Sequence, residues 1–330
     1  MDNKIETSKI ARNQGIDVLR FIGALMVVCI HIGFPGHLGQ AMILVSRIAV
    51  PCFFIISGYF FNPQKFNLRK TTLKLLVIAL IGHILYAVKC IALTPENIST
   101  TFSLKNLGVF VVFNHPVWAE HMWYLSAIIY TYVIIAIAEK LKFVKALYFA
   151  IPVLLITNLA LGEFSGFIFG HALPVYFGRN FLFFALPFFL IGRLIKEKGI
   201  AVKKTKGKIL CIGIAAFGLL ISLVEYAITR AKVDFFTGLL FMSVSVFLIF
   251  AEGLNLPKWM THIAYAGHEY TLFIYVAHSL VGFLLQNIAH ELAFSIYPYI
   301  ATIAVFVVTL LCAIFFRQII KIIRFKSKVS

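Results

Sequence analysis

About ten stretches of the sequence are long and apolar enough to cross a lipid bilayer as helices. A spanning helix needs roughly 20 mostly apolar residues. In this chain 61% of residues are hydrophobic and only 13% are charged, whereas a soluble domain is about half apolar and about a quarter charged. We therefore exclude a soluble enzyme and predict an all-α integral membrane protein with about ten transmembrane helices. The predicted spans cover residues 16–33, 41–61, 72–91, 122–138, 146–161, 180–195, 209–228, 235–252, 270–289 and 297–320.

The 30 Lys and Arg residues are distributed unevenly over the connections between these spans. If both termini lie on one side, 23 of them fall in the termini, loops and adjoining span ends of that side, and only 5 fall in the loops and span ends of the opposite side. Lys and Arg concentrate in cytoplasmic loops, so we predict that both termini are cytoplasmic. The formal net charge of +17 is then an orientation signal, and no nucleic-acid partner is expected.

These patterns divide the chain into three parts. We predict a cytoplasmic N-terminal segment over residues 1–15, a polytopic membrane domain over 16–320 and a basic cytoplasmic tail over 321–330. The first apolar run has no small-residue cleavage site, so we expect it to remain as a helix. The predicted location is the cell membrane, in a bacterium the plasma membrane, where membrane lipids surround the spans. The oligomeric state is left open.

The five cysteines indicate neither a disulfide framework nor a metal site. Their number is odd, they lie in or beside apolar runs, and no CxxC or Cys/His ligand spacing occurs. We interpret them as small buried hydrophobic side chains, and we predict no bound metal.

The first predicted helix carries three ionisable residues, Asp17, Arg20 and His31. At about 100° per residue, the eleven positions from Arg20 to His31 come to about 20° from three full turns, so both lie on one helix face, roughly 16 Å apart along the axis. Ionisable groups inside a membrane face the bundle interior or a cavity. A cation near one membrane surface could hold an anionic substrate or pair with Asp17. An imidazole deeper in the membrane could accept a proton from a hydroxyl. A snorkelling arginine and a hydrogen-bonded core histidine are the alternative interpretation.

The second predicted helix contains a cation and a small-residue step. Arg47 lies in an apolar stretch and therefore requires a partner or water. Pro51 frees a backbone carbonyl, and Ser57-Gly58 permits the close approach of a neighbouring helix or a ligand. Ordinary helix packing explains the small residues equally well.

Several short motifs follow one another along the chain. They are Gly15-Ile16-Asp17; Arg20 with His31 eleven positions later; Val50-Pro51 with Phe53-Phe54 and Ser57-Gly58-Tyr59; His121-Met122-Trp123-Tyr124-Leu125; Arg179-Asn180-Phe181 with Leu186-Pro187-Phe188-Phe189; and the segment from Tyr270 to His278. Each is weak alone, but in this order they resemble the integral-membrane acyltransferase-3 family over about residues 12–320. Glu269-Tyr270 departs from the small or hydroxyl residues that are common there.

The resemblance implies transfer of an acyl group, usually acetyl, from cytoplasmic acyl-CoA to a hydroxyl of a cell-envelope glycan or lipid-linked sugar. It makes His31 the catalytic base or acyl carrier and Arg20 its paired arginine, with Asp17 beside them. Acyl-CoA would be the donor substrate, and no bound cofactor is expected. In size the chain is similar to the O-acetyltransferases of the enterobacterial common antigen.

Further residues are candidates for the donor and acceptor sides. The resemblance links a motif of the second helix to the path of the acyl donor, and the basic residues near Arg12, Arg20 and Lys65 would suit the phosphates of CoA. The donor-path candidates are Arg47, Phe53, Phe54, Ser57, Gly58 and Arg69. The acceptor-side candidates are Glu120, His121, Trp123, Tyr124 and Arg179, although an interfacial aromatic belt also explains Trp123. Tyr275 and His278 are weaker candidates without an assigned side.

Two other functions remain open at this stage. A transporter or flippase for a sugar-lipid or an amino acid would move its substrate without using acyl-CoA, and the absence of matching broken helices in the two halves counts mildly against it. A non-catalytic scaffold in polysaccharide assembly would tolerate the loss of His31. The chain ends soon after the last predicted span, so we expect neither a hydrolase-like domain nor the racemase domain that accompanies the similar membrane part of vancomycin-resistance serine racemases.

Overall fold

A computed structural model describes residues 13–229, 234–252 and 257–329, with side chains up to residue 323. Most of the predicted N-terminal segment, including Arg12, lies outside the described residues, as do the side chains at the end of the predicted tail. Within the described ranges the chain is helical and contains no β-strand. The predicted all-α fold class is therefore confirmed.

Fourteen α-helices lie in the described ranges. They are α1 Gln14–Ile32, α2 Gly36–Ser46, α3 Ala49–Tyr59, α4 Leu68–Leu93, α5 Ile98–Thr101, α6 Leu104–Phe113, α7 Trp123–Lys140, α8 Val144–Leu161, α9 Ser165–Phe169, α10 Leu186–Glu197, α11 Thr205–Thr229, α12 Thr237–Ala251, α13 Lys258–Glu291 and α14 Tyr297–Val329. Short 3₁₀ segments cover Pro95–Asn97, Val117–Met122 and Val175–Phe177, and a π-helix over Phe181–Ala185 leads into α10.

Each of the ten predicted spans corresponds to a helical segment, and the described residues contain eight helical segments long and apolar enough to cross a membrane. The second predicted span is divided into α2 and α3 at Arg47 and Ile48. The sixth is the π-helix followed by α10, and the eighth is the shorter helix Thr237–Ala251. The protein is thus a multi-pass membrane protein, and the number ten and the cytoplasmic location of the termini stay predictions.

Local signals in the sequence determine where α1 begins and ends. The side chain of Asn13 accepts a hydrogen bond from the Ile16 amide at 3.1 Å and caps the helix. Gly33 follows the helix with a φ of +63°, a conformation that L-residues rarely adopt. Because α1 ends at Ile32, His31 lies in its last turn.

The interior of the bundle is formed around α1, α3, α10, α12 and α13. Helices α3 and α10 approach closely enough that a Cβ on Gly58 would lie 1.9 Å from the Phe189 carbonyl oxygen. A Cβ on Gly267 of α13 would similarly lie 1.9 Å from the Asp17 carbonyl oxygen of α1. Helices α4, α11 and α14, by contrast, carry many exposed apolar side chains, as expected of lipid-facing helices.

Ion pairs group the connections into two ends of the bundle. At one end, Arg179 pairs with Glu120 and Asp234. At the other, Arg193 pairs with Glu139, and Arg317 pairs with Glu269. With the predicted topology, the members of each pair lie on one side of the membrane. Glu269, which departs from the family motif, is thus part of the contact between α13 and α14.

Candidate active site

His31 opens into a small pocket of about 40 Å³ between α1, α2, α3 and the segments around residues 121 and 179. The His31 side chain is accessible, although protein surrounds it on most sides. The pocket is lined by Val27, Ile30, His31, Arg47, Val50, His121, Trp123, Tyr124, Arg179, Phe184, Asp234 and Tyr275. Seven of the predicted site residues therefore lie around one space.

Two further histidines pack against the His31 ring. The ring centroids of His278 and His121 lie 5.1 Å and 5.9 Å from that of His31, and both of these residues are buried. Nδ1 of His278 lies 3.0 Å and 2.9 Å from the carbonyl oxygens of Ile274 and Tyr275. Because carbonyl oxygens only accept hydrogen bonds, Nδ1 carries the proton and Nε2 has a free lone pair.

This tautomer directs an acceptor atom toward the cluster. His278 Nε2 is buried without a hydrogen-bond partner among the described residues. It is therefore available to accept a proton or a hydrogen bond from the neighbouring imidazole of His31. Tyr275 donates its hydroxyl hydrogen bond to the carbonyl of His121 and so links α13 to the segment before α7.

A chain of alternating charges borders the same pocket. Asp234 pairs with Arg47 through one carboxylate oxygen, and its other oxygen lies 3.2 Å from Nη1 of Arg179. Nη2 of Arg179 lies 3.3 Å from the largely exposed Glu120 and 3.2 Å from Nδ1 of His115. Burial would raise the pKa of Asp234, but the two guanidinium groups outweigh it and lower the pKa below its ordinary value. Asp234 therefore stays ionised between the two cations.

Three asparagines hold the segment that carries Arg179. The Asn180 side chain accepts hydrogen bonds from the amides of Leu182 and Phe183 at 3.0 Å and 2.9 Å, and so caps the π-helix. Asn158 of α8 donates to the Gly178 carbonyl at 2.8 Å. Asn114 accepts from the Phe181 amide at 2.7 Å, with its backbone in the left-handed region at a φ of 51°.

A second polar pocket of about 340 Å³ lies at the opposite end of α1 and α3. Arg20, Ser57 and Lys65 are among its lining residues. Arg20 pairs with Asp17 at 2.7 Å, and the predicted contact between these two residues is present. Arg69, in the first turn of α4, is exposed and does not line this pocket.

The donor-path candidates of α3 differ in their surroundings. The rings of Phe53 and Phe54 have centroids 6.1 Å and 4.6 Å from that of Tyr124, which lines the His31 pocket. The Ser57 hydroxyl donates to the Phe53 carbonyl at 2.8 Å. Gly58 faces α10, so its small size is explained by helix packing.

The sequence indicated that Arg47 needs a counter-ion, but it did not identify Asp234 as that partner. An arginine within an apolar stretch requires a counter-ion, and this need was noted for Arg47. The chain contains 13 acidic residues, and nothing in the sequence distinguishes Asp234, which lies 187 positions from Arg47. His115 and Glu163 were not predicted either, because no sequence pattern distinguishes them. The described residues hold no group of three or more His, Cys, Asp or Glu side chains arranged to bind a metal.

Comparison with known proteins adds to this geometry. The family model described as "Acyltransferase domain" matches residues 13–317, nearly the whole chain. The chain belongs to this acyltransferase-3 family. The family predicted from the motifs is thus confirmed, whereas the more specific likeness to common-antigen O-acetyltransferases stays a prediction. No solved structure matches the chain.

Two longer curated proteins are similar to this acyltransferase-3 chain. A serine/alanine racemase of Enterococcus gallinarum is 27% identical over 84% of the chain and 43% of the racemase. An amino-acid racemase of Enterococcus faecalis is 29% identical over 56% of the chain and 28% of the racemase. The chain spans less than half the length of each of these relatives.

Proposed function

We propose that this acyltransferase moves an acyl group, in the simplest case acetyl, from cytoplasmic acyl-CoA to a hydroxyl of a cell-envelope glycan or lipid-linked sugar. The observation that carries the proposal is the position of His31: it opens into a pocket that also holds Arg47, Arg179 and Asp234. This set combines a base with cationic hydrogen-bond donors, the two functions that acyl transfer requires.

In the proposed reaction, His31 accepts the proton of the acceptor hydroxyl while the hydroxyl oxygen bonds to the thioester carbonyl carbon. The negative charge that develops on the carbonyl oxygen is stabilised by the guanidinium groups of Arg47 or Arg179. The carbon–sulfur bond then breaks, and the thiolate of CoA takes the proton from His31. The products are the acylated hydroxyl and free CoA, and His31 is neutral again.

The pocket at the other end of α1 supports a donor site. Arg20 and Lys65 would attract the phosphates of CoA, and Ser57 provides a hydroxyl in the same pocket. The acyl end of the donor would then extend along Phe53 and Tyr124 toward His31, so that the thioester meets the acceptor hydroxyl there. This arrangement assigns the donor and the acceptor to opposite ends of the bundle, as a transfer across the membrane requires.

The names of the two relatives suggest amino-acid chemistry, but both relatives are more than twice as long as the segment that matches this chain. We therefore base the proposed function on the family match and on the His31 pocket. Transport of a sugar-lipid or an amino acid remains the rival function, and it predicts movement of substrate without consumption of acyl-CoA.

The test supplies membranes carrying the protein with labelled acetyl-CoA and a cell-envelope glycan extract. We expect the wild type to transfer label to the extract, and His31→Ala to reduce the rate by roughly 10²–10⁴-fold because the base is lost. His37→Ala is the matched control, since His37 is exposed near the start of α2, and it should retain full activity. Undiminished transfer by His31→Ala would refute the role of His31. Substrate movement without label transfer would favour the rival.

A further inference from the structure

A larger cavity adjoins the His31 pocket. It has a volume of about 410 Å³ and lies between the end of α8, α9 and the segment before the π-helix. Arg179, Phe184 and Asp234 line both the cavity and the His31 pocket. The volume falls within the range of roughly 300–1,000 Å³ that is usual for small-molecule sites. A molecule bound there would therefore lie next to the proposed catalytic histidine.

Glu163 is the polar residue of this cavity that the fold leaves unsatisfied. The residue is only 3% exposed, and neither carboxyl oxygen has a hydrogen-bond partner among the described residues. Other polar groups in the wall are used internally: Asn158 donates to two backbone carbonyls, and Ser165 donates to the Gly162 carbonyl at 2.7 Å. Leaving a buried polar group without a partner costs about 1–3 kcal/mol, so the position of Glu163 favours a ligand that supplies the missing bonds.

The charges around the cavity disfavour an anionic ligand. Arg179 is already paired with Asp234 and Glu120, so its charge is compensated. Burial and the repulsion of Glu225 raise the pKa of Glu163 to about 8. Near neutral pH the carboxyl is then mainly uncharged, and it presents one hydroxyl donor and one carbonyl acceptor.

The rest of the wall is largely apolar. Phe167, Leu173, Val175, Phe184 and Phe235 line the same cavity as Glu163. A neutral donor–acceptor pair enclosed by aromatic and aliphatic side chains matches a molecule with neighbouring hydroxyls and apolar C–H faces. A pyranose ring has both features.

We propose that this cavity binds the acceptor as an uncharged pyranose ring whose hydroxyls hydrogen-bond to the Glu163 carboxyl. The proposal rests on the proposed function, because it assumes that the molecule beside His31 is the acyl acceptor. It extends that function by naming the subsite, the chemical class of its ligand and the residue that recognises it.

The first experiment measures binding without turnover. The purified protein is exposed to methyl glycosides of glucose, galactose, mannose and N-acetylglucosamine that carry a photoreactive diazirine, and the labelled peptides are mapped. We expect at least one glycoside to label the segments 158–167 or 172–184, and the untagged glycoside to compete. Labelling should persist in Glu163→Gln, because the amide also offers a donor and an acceptor, and should be lost in Glu163→Ala. Loss of labelling in both variants would overturn the proposal, because it would mean that binding needs the negative charge of Glu163 and that the ligand is a cation. Absence of labelling in these segments with every glycoside would overturn it as well.

The second experiment follows transfer from acetyl-CoA with the acceptor concentration varied, using the lipid and the water-soluble glycan fractions separately. In Glu163→Ala we expect the acceptor KM to rise by about tenfold or more, as the loss of a buried hydrogen-bonding partner predicts, with the KM for acetyl-CoA unchanged. Glu291→Gln, an exposed acid at the end of α13, is the control. The fraction whose transfer responds to the variant identifies the source of the sugar.

A rim substitution separates obstruction from misfolding. Ala172 lines the cavity and is exposed, so Ala172→Trp should fold and should block the acceptor. Ala201→Trp, at an exposed position in the loop after α10, is its matched control. If the wild type transfers acetyl while Glu163→Ala and Ala172→Trp keep the wild-type acceptor KM, the proposed subsite is wrong and the proposed function stands. If glycosides label the cavity but no acetyl is transferred, the proposed function is wrong and the sugar site stands.

Discussion

At the scale of single residues, Asp234 determines the electrostatics around His31. Arg47 and Arg179 both lie largely within the protein, with side chains 17% and 11% exposed. Cations in such surroundings are costly unless they are paired. Asp234 contacts both of them and keeps their guanidinium groups beside the imidazole. The N–H donors of these groups are suited to stabilise a developing oxyanion.

We therefore expect Arg47 and Asp234 to be energetically coupled. Asp234→Ala should lower the free energy of unfolding by about 1–3 kcal/mol, because hydrogen bonds to a charged partner are lost. In a double-mutant cycle with Arg47→Ala, the two losses should not add, and the interaction energy should exceed about 0.5 kcal/mol. Unfolding by sodium dodecyl sulfate in mixed micelles provides the measurement.

Exposed charges on the same protein provide the control for this cycle. Arg69 and Glu96 are exposed, and no ion pair joins them, so Arg69→Ala and Glu96→Ala should combine additively. If the losses in the free energy of unfolding for Arg47→Ala and Asp234→Ala also add, the two residues are not coupled.

At the scale of elements, the contact between α3 and α10 depends on two glycines that face each other's backbones. A Cβ on Gly58 would lie 1.9 Å from the Phe189 carbonyl oxygen, and a Cβ on Gly192 would lie 2.0 Å from the Ile55 carbonyl oxygen. Backbone atoms cannot move aside as a flexible side chain can. Since α3 carries Phe53 and Ser57 and α10 continues the π-helix after Arg179, this contact holds the two proposed substrate routes in register.

Replacement of Gly58 by alanine should therefore separate the two helices. We expect Gly58→Ala to cost about 1–3 kcal/mol of stability through overpacking, with a lower melting temperature in detergent. Gly213→Ala in the middle of α11 is the matched control, because a Cβ there meets no atom within 4 Å. It should be neutral or stabilise the helix by up to about 1 kcal/mol. Equal melting temperatures for the two variants would show that the α3–α10 contact can relax.

At the scale of the whole molecule, the bundle separates two polar regions along α1. The pocket with Arg20 and the pocket with His31 lie about 16 Å apart along the helix, roughly half the thickness of the hydrocarbon core. The segments that pair around Asp234 lie at the His31 end, and the helix ends that pair around Arg193 lie at the other. A donor and an acceptor from opposite sides of a membrane could thus each use one end.

Cysteine labelling tests this orientation in intact cells. In a variant with the exposed Cys312 replaced by serine, a membrane-impermeant maleimide should label Ala172→Cys, which we place outside. It should label Ala201→Cys only after the cells are opened, because that loop is predicted to be cytoplasmic. The background variant without the new cysteines reports the labelling of the native thiols. Labelling of both positions in intact cells, or of Ala201→Cys alone, would contradict the predicted topology.

The sequence by itself determined the fold class, the approximate position of the long apolar helices and the family, whereas the shorter helices α5, α6 and α9 lie between the predicted spans. Spanning helices depend on local composition, since each satisfies its backbone hydrogen bonds within one segment, and this is why residues 72–91 could be located without the fold. The placement of Asp17, Arg20 and His31 on one helix was predictable for the same reason. The division of the second predicted span at Arg47 and Ile48 has a local cause as well, because Pro51 has no amide hydrogen to donate to the Arg47 carbonyl four positions earlier.

Only the tertiary structure decided which distant side chains meet. Arg47 and Asp234 are 187 positions apart. Arg179 and Glu163 lie in connections between helices, and no local sequence pattern specifies the path of these connections. Helix formation is a property of neighbouring residues, whereas a pocket is a property of how separate helices pack. The sequence therefore predicted His31 as a candidate base, and the packed bundle surrounded it with two cations, a carboxylate and two histidines.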